Sequence, residues 1–430
     1  MANARNIALR IIEDTLEREV FLNEALEAGL KNTAEISAED AAFARRLSYG
    51  VVERMIELDY IINRFSKTGT AKMKLAVRCI LRMGVYQIIY MDSVPDHAAI
   101  NESVKLTKKR GFAGLSGFVN GVLHTVCRER GSIAYPDMEE DPIGALSVRY
   151  SVPEWMTRLW IKEHGREKCG EICAAFLEKK RVCVRVNRAR VQAEDIGQRL
   201  RGYGIDTAPI YFENEIIGFE LEGRIRLDEI PEMADGLIYI QDKNAMRVVP
   251  MLGIRPGDTV LDVCAAPGGK ALQAAEYAGD GHVTACDVSP EKTALIEQNA
   301  RRMKTGNISA LVRNAKIPAE AEREKYDRVI CDLPCSGLGV IGGKPDIKYK
   351  TKPGDIEALA GIQREILDVA CAYVRKGGRM VYSTCTITAR ENDMNAEWFE
   401  RNHPEFSLVE KRSFMPGDGD GFFAAVYERL

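Results

Sequence analysis

The chain has 430 residues, 46% hydrophobic and 29% charged, with a formal net charge of -3. That composition excludes a fibrous or disordered polymer, and the length implies two or three cores of roughly 100–200 residues each. No run reaches the ~18 apolar residues of a membrane span, and the first twenty residues interleave charge with apolar positions, so a cytoplasmic protein with no membrane partner is expected. The eleven cysteines are irregularly spaced, which reads as reduced thiols rather than a disulfide framework.

In chain order, residues 1–135 repeat apolar positions at helical spacing, as in Ile7, Ile11, Ile12 and Leu16, then Phe43, Leu47, Val51 and Met55, which predicts a helical bundle. Leu75 to Tyr90 is apolar apart from Arg78, Arg82 and Gln87 and is predicted to be its buried central helix. YPDMEEDP, from Tyr135 to Pro142, has the prolines and acids of a linker. VPEWMTRLWIKEHG then reads as a helix started by Pro153 and VCVRVN as a half-buried strand, giving a small α+β domain over residues 145–235. From residue 236 to 430, TVLDVC, HVTACD, ALVRN, YDRVICD, GGRMVYSTC and GFFAAVYERL alternate with helical stretches. That pattern predicts a parallel, Rossmann-like sheet covered on both faces. The whole-chain charge does not advertise a nucleic-acid binder, but Lys179, Lys180, Arg181, Arg185, Arg188 and Arg190 form a local basic run without an acid. Such a run suits RNA or simply a solvated face.

In LDVCAAPGGKALQAAEYAG a strand runs through Pro267, Gly268 and Gly269 into a helix. The glycines and the helix N-terminus present backbone N–H groups at close range. One strand later HVTACD ends in Asp287, where an acid can accept hydrogen bonds from ribose hydroxyls. Together they describe a site for an adenosine-type cofactor. GxGxxG is absent, and the turn by itself does not separate S-adenosylmethionine from a nicotinamide dinucleotide.

Asp332 and Cys335 follow the run DRVI, and Cys385 follows RMVY, so both thiols are predicted at the carboxyl ends of strands, on the rim that binds ligands. Cys79, Cys127, Cys173 and Cys371 read instead as small core residues. Zinc wants four ligands at characteristic spacing, and no CxxC or nearby histidine supplies them, so no metal is expected. Beside a methyl donor, paired thiols suit one difficult task, methylation of carbon 5 of a cytosine. Attack by a cysteine on carbon 6 makes carbon 5 nucleophilic, and a second acid/base group assists departure. Asp332 is placed to hold N3 and the exocyclic amine of the base.

DVCAAPGGK, DLPCSGLGV, KPDIKY and VYSTCTITARENDMN resemble the ribosomal RNA cytosine-5 methyltransferases of the RsmB (Sun/Fmu) family over nearly the whole chain. DHAAINESVKLTKK and GFVNGVL are similar to the NusB-type RNA-binding fold that this family carries in front. The resemblance implies a NusB-like bundle, a small RRM-like α+β domain and a class I methyltransferase domain. It implies Cys385 as nucleophile, Cys335 as the group assisting release of the adduct, and Asp332 at cofactor and base. Cys264, Ala265, Ala266, Pro267, Gly268, Gly269, Lys270 and Asp287 are implied to bind S-adenosyl-L-methionine, with S-adenosyl-L-homocysteine as product and Lys270 also facing substrate. Asn314 stands where the family commonly has an acid near the adenine; an amide keeps hydrogen bonding but lacks the charge. The implied partner is small-subunit (16S) ribosomal RNA, handled by a monomer. Transfer RNA as substrate, a non-catalytic RNA-binding protein and a small-molecule enzyme with another nucleotide cofactor are the alternatives.

Overall fold

The computed structural model describes residues 4–18, 20–31, 36–223 and 225–430; residues 1–3, where the first expected domain begins, lie outside them. The chain forms two units. One comprises Met1–Leu177 with Ile341–Thr351, the other Glu178–Val340 with Lys352–Leu430.

The first unit is helical. Leu75–Tyr90 is its centre, with Val77, Ile80, Leu81 and Val85 buried, and it touches Ala4–Glu17, Ala38–Glu53, Met55–Phe65, Asp96–Lys109 and Ser116–Glu129. A helix this apolar has no face to give to water and is stable only when surrounded. Two of its polar residues are paired: Arg82 makes a bidentate bond to Asp59 (2.7 and 2.6 Å), and Gln87 accepts from Arg5 (2.7 Å). Gly50 lets a neighbouring helix close on Tyr86, whose ring would lie 2.0 Å from an added Cβ.

Pro142–Tyr150, Glu154–His164 and Arg166–Ala175 also belong to this unit. Met156, Trp160, Cys169 and Cys173 turn inward, and Ser151 Oγ accepts from the Ile56 and Glu57 N–H groups (2.8 and 3.2 Å). The first unit ends at Leu177, inside the 145–235 span expected for the small α+β domain. Residues 341–351, which include the KPDIKY motif, are anchored here too. Asp346 accepts from Leu22 N (3.1 Å), Lys348 donates to Glu53 O (2.7 Å), and Lys350 donates to Val20 O (2.6 Å).

The second unit holds two sheets. Strands β1 (Val182–Val186), β2 (Asp206–Phe212), β3 (Glu215–Glu222) and β4 (Ile238–Ile240) pair antiparallel in the order β2-β3-β1-β4. The helix Ala193–Gly202 lies between β1 and β2 in the chain, and Ile196 and Leu200 on it bury against Val184, Phe219 and Ile238. The larger sheet contains β5 (Thr259–Asp262), β6 (His282–Asp287), β7 (Ile308–Val312), β8 (Tyr326–Asp332), β9 (Val374–Thr384), β10 (Phe406–Phe414) and β11 (Phe422–Arg429), in the order β10-β11-β9-β8-β5-β6-β7. Strands β5 to β9 are mutually parallel, and β11 enters antiparallel beside β9. From β5 the chain winds outward through β6 to β7, then crosses back to β8. The topological switch point lies between β5 and β8, and its crevice opens at their carboxyl ends. Arg185 of β1, 1% exposed, pairs with the buried Glu276 of helix Gly269–Ala278, tying the small sheet to the cofactor helix.

Candidate active site

The site is built from what leaves the carboxyl ends of β5, β6, β8 and β9. After β5, Cys264 to Gly268 form a tight loop. Gly268 N–H donates to Ala265 O (2.7 Å), Ala265 N–H to Cys286 O (2.8 Å), and the Ala266–Pro267 peptide is cis. Gly268 takes φ +107°, the left-handed region that an L side chain avoids. It starts the helix Gly269–Ala278 without a side-chain cap, which leaves the N–H groups of the first turn to a ligand. Asp287, at the tip of β6, accepts from Ala266 N (3.1 Å) and Val288 N (2.7 Å) and lies 3.3 Å from Lys292 Nζ. The acid predicted at this tip thus also shapes the loop. Asn314, after β7, is exposed, and its Oδ1 accepts from Lys316 N (3.0 Å); the preceding Arg313 N–H donates to Asp287 O (2.8 Å).

The register of β8 on β9 sets Asp332 beside Ser383. Cys335, three residues past Asp332, and Cys385, two past Ser383, then meet with sulfurs 3.3 Å apart. Neither thiol is in a disulfide, and both are half-buried. Lys270 Nζ donates to Asp332 Oδ2 (2.6 Å), and Ser383 Oγ donates to Asp332 Oδ1 (2.8 Å). Burial works against the Lys270 charge, but Asp332 and, after it, the Cys385 sulfur outweigh burial and hold the ammonium above its ordinary value. The Cys335 thiol is pushed well up, first by its hydrogen bond to Cys385 and then by burial. Either sulfur can donate in this contact, and the thiolate, not the thiol, is the nucleophilic form. The glycine loop, Asp287, Asp332, Cys335 and Cys385 thus leave the carboxyl ends of β5, β6, β8 and β9, and Asn314 follows β7 beside Asp287.

The sequence did not single out the groups behind the thiols. Glu391, fully buried, accepts at Oε1 from Ser336 N (2.8 Å) and Gln363 Nε2 (3.2 Å), and at Oε2 from Ser336 Oγ (2.5 Å) and Thr388 Oγ1 (2.8 Å). Ser336 Oγ also meets Thr386 Oγ1 (2.8 Å). Asp262, at the end of β5, was missed as well. Burial, then the charge of Asp332, raise it from 3.8 to about 8, and its Oδ2 is buried with no hydrogen-bond partner. An unsatisfied buried oxygen is costly, and here it lies beside the glycine loop. A cofactor with an adenosyl half and a cationic, hydrogen-bonding end fits those residues.

Three family models match the chain: 16S rRNA methyltransferase RsmB/F over residues 249–425, the NusB family over 2–128, and the ferredoxin-like domain of RsmF/B-like methyltransferases over 152–225. The chain is 35% identical over 415 residues to the probable ribosomal RNA small subunit methyltransferase B of Bacillus subtilis, covering 95% of this chain and 91% of that one. It is 30% identical to the ribosomal RNA small subunit methyltransferase B of Serratia proteamaculans, covering 98% of each. Among solved structures, a methyltransferase homologue from Pyrococcus horikoshii superposes with a TM-score of 0.60 at 25% identity, over 67% of this chain and 99% of that one.

Proposed function

The chain belongs to the ribosomal RNA small subunit methyltransferase B family, and from that premise we propose that it methylates carbon 5 of a cytosine in small-subunit (16S) ribosomal RNA through a covalent adduct on Cys385. The observation that carries the reading is the pair of cysteine sulfurs 3.3 Å apart at the ends of adjacent strands, beside the Lys270–Asp332 pair. In this reading residues 1–135 hold RNA, residues 145–235 extend that grip, and residues 236–430 perform the chemistry.

When bound, S-adenosylmethionine supplies the electrophilic methyl group. The glycine loop from Cys264 to Lys270, with Asp262, Asp287, Asn314 and Asp332, would hold it. The chain's residues do the rest. Cys385 thiolate forms a bond to carbon 6, and the π electrons of the C5–C6 bond move into the ring, which makes carbon 5 a nucleophile. As the S–C6 bond forms, N3 takes up a proton from water, which it returns when the adduct collapses; Asp332, oriented by Lys270 and Ser383, accepts hydrogen bonds from that N3–H and from the exocyclic amine. Once carbon 5 carries the methyl group, its proton leaves to water, the C5–C6 double bond re-forms, and the S–C6 electron pair returns to Cys385. The Cys335 S–H, already directed at that sulfur, stabilises the departing thiolate. An unpaired or flipped base is needed for such attack.

The test is incubation with labelled S-adenosylmethionine and small-subunit ribosomal RNA, or transfer RNA as comparison, followed by nucleoside analysis. Label is expected in 5-methylcytidine from ribosomal RNA. Cys385→Ala abolishes it, and Cys335→Ala accumulates a covalent protein–RNA band that survives denaturation. Label in another nucleoside, or loss of activity in Cys335→Ala without any adduct, refutes the two-thiol assignment.

A further inference from the structure

Behind the two thiols lies a polar core that no step of the reaction above uses. It consists of Glu391 with Ser336, Thr386, Thr388 and Gln363, all fully or almost fully buried. Every partner of the Glu391 carboxylate is a neutral donor: one backbone N–H, two hydroxyls and an amide. A buried carboxylate usually costs several kcal/mol unless it is paired with a cation or well hydrogen-bonded. Here hydrogen bonds alone compensate, and their placement is informative. Ser336 directly follows Cys335, and Thr386 directly follows Cys385. The Ser336 hydroxyl hydrogen is taken by Glu391, so Thr386 is the donor in the Ser336–Thr386 bond. Gln363 binds Glu391 and Pro334 O (3.0 Å) with the same amide nitrogen. One carboxylate thus holds the residues on both sides of Cys335 and, through Ser336, the residue after Cys385.

We propose that Glu391 is the positioning residue of the thiol pair: it clamps the two loops at contact distance and, as negative charge on the Cys335 side opposite Lys270 on the Cys385 side, keeps the shared proton on Cys335. The proposal rests on the two-thiol reading given above. The charged and titratable groups facing the pair are Glu391 and Tyr382 toward Cys335, and Lys270, with Asp332 behind it, toward Cys385. The influence of Glu391 on Cys335 has the same sign as that of Cys385, upward, and the Cys385 sulfur favours the charged form of Lys270. Both asymmetries assign the thiolate to the same sulfur.

The experiment uses the full chain without cofactor or RNA. Iodoacetamide is applied across a pH series and labelling at each cysteine is quantified by peptide mass spectrometry, a readout independent of methyl transfer. In the wild type, Cys385 labels at least about tenfold faster than Cys335 near neutral pH, the ratio expected when one thiol holds the proton. Glu391→Gln preserves size and the acceptor for Ser336 N–H but removes the charge. The Cys335 to Cys385 labelling ratio rises by roughly tenfold, and the thermal melt stays cooperative. Should Glu391→Gln fail to fold, Ser336→Ala cuts the hydroxyl link to Thr386 while sparing the backbone bond, and the ratio rises there too. Equal labelling of both thiols in the wild type, or an unchanged ratio in a folded variant, overturns the proposal. Loss of 5-methylcytidine formation with wild-type labelling as expected would instead count against the reaction assigned to the site.

Discussion

Asp262 offers a stability measurement whose size follows from the site's electrostatics. Its carboxyl is 1% exposed, and burial followed by the Asp332 charge raises it from 3.8 to about 8, against the opposing pull of Lys270 and Cys264 N–H. The folded chain therefore keeps this proton over a range in which the unfolded chain has lost it. For an acid raised on folding, the associated stability is fully present below about pH 4 and is lost as pH rises toward about pH 8. Each unit in that window costs ~1.4 kcal/mol, so between about pH 5 and about pH 8 the group removes roughly 3–4 kcal/mol. Asp262→Asn abolishes the titration while keeping an acceptor for Cys264 N–H, which lies 3.3 Å away. Denaturant melts of the two proteins should converge below about pH 4, and between about pH 5 and about pH 8 the variant's advantage should grow by roughly 3–4 kcal/mol, worth roughly 10 °C in Tm. A difference between the two proteins that does not change with pH would refute the assignment of a neutral, buried acid at the end of β5.

Two further changes separate architecture from cofactor binding. Arg185→Ala strands the buried Glu276 carboxylate and should lower stability by roughly 3–5 kcal/mol, whereas Arg185→Met combined with Glu276→Leu should recover most of the loss in the same chemical denaturation series; equal losses would show that the ion pair is incidental. Gly268→Ala meets no atom nearer than 3.5 Å, so its penalty is the φ of +107° alone, about 1–3 kcal/mol. Calorimetric titration with S-adenosylmethionine should show at least a tenfold weaker Kd as the loop relaxes, while Cys335 and Cys385 label as in the wild type.

The parts of this molecule that were legible in the sequence are those whose residue types announce their environment. Strands β5, β6, β8 and β9 are buried on both faces, so they read as short apolar runs, and each run stops where polar site residues begin. Strand β10 was missed. FSLVEKRSF is mostly exposed and pairs only with β11 at the sheet edge, so charge hides its extended backbone. Glu391 was quoted within a motif but not recognised as a hub, because its partners Ser336 and Gln363 lie 55 and 28 residues earlier in the chain and only the fold shows that these polar groups satisfy one another. KPDIKY was read with the catalytic segment that surrounds it. Lys348 is 1% exposed and burial lowers it from 10.5 to about 7, in a setting made by helices some 300 residues earlier that no local pattern reveals.

The three acids at neighbouring strand ends also discriminate between cofactor classes that the glycine turn left open. Asp262, Asp287 and Asp332 would repel one another if all were ionised and unpaired, and the fold deals with each differently. Asp287 is neutralised by two backbone N–H groups and Lys292. Asp332 has Lys270 and Ser383. Asp262 has one weak backbone contact and a free oxygen, and it retains its proton instead. A pyrophosphate brought to this loop would add negative charge beside all three. A ligand with a sulfonium and an amino group brings the charge the third acid lacks, so its binding should release a proton below about pH 8, and its affinity should rise as pH approaches that value from below. The same field lets Lys270 serve both sides of the site: its ammonium holds Asp332 for the base and faces the sulfur of Cys385, while the acids around it keep it charged despite its burial.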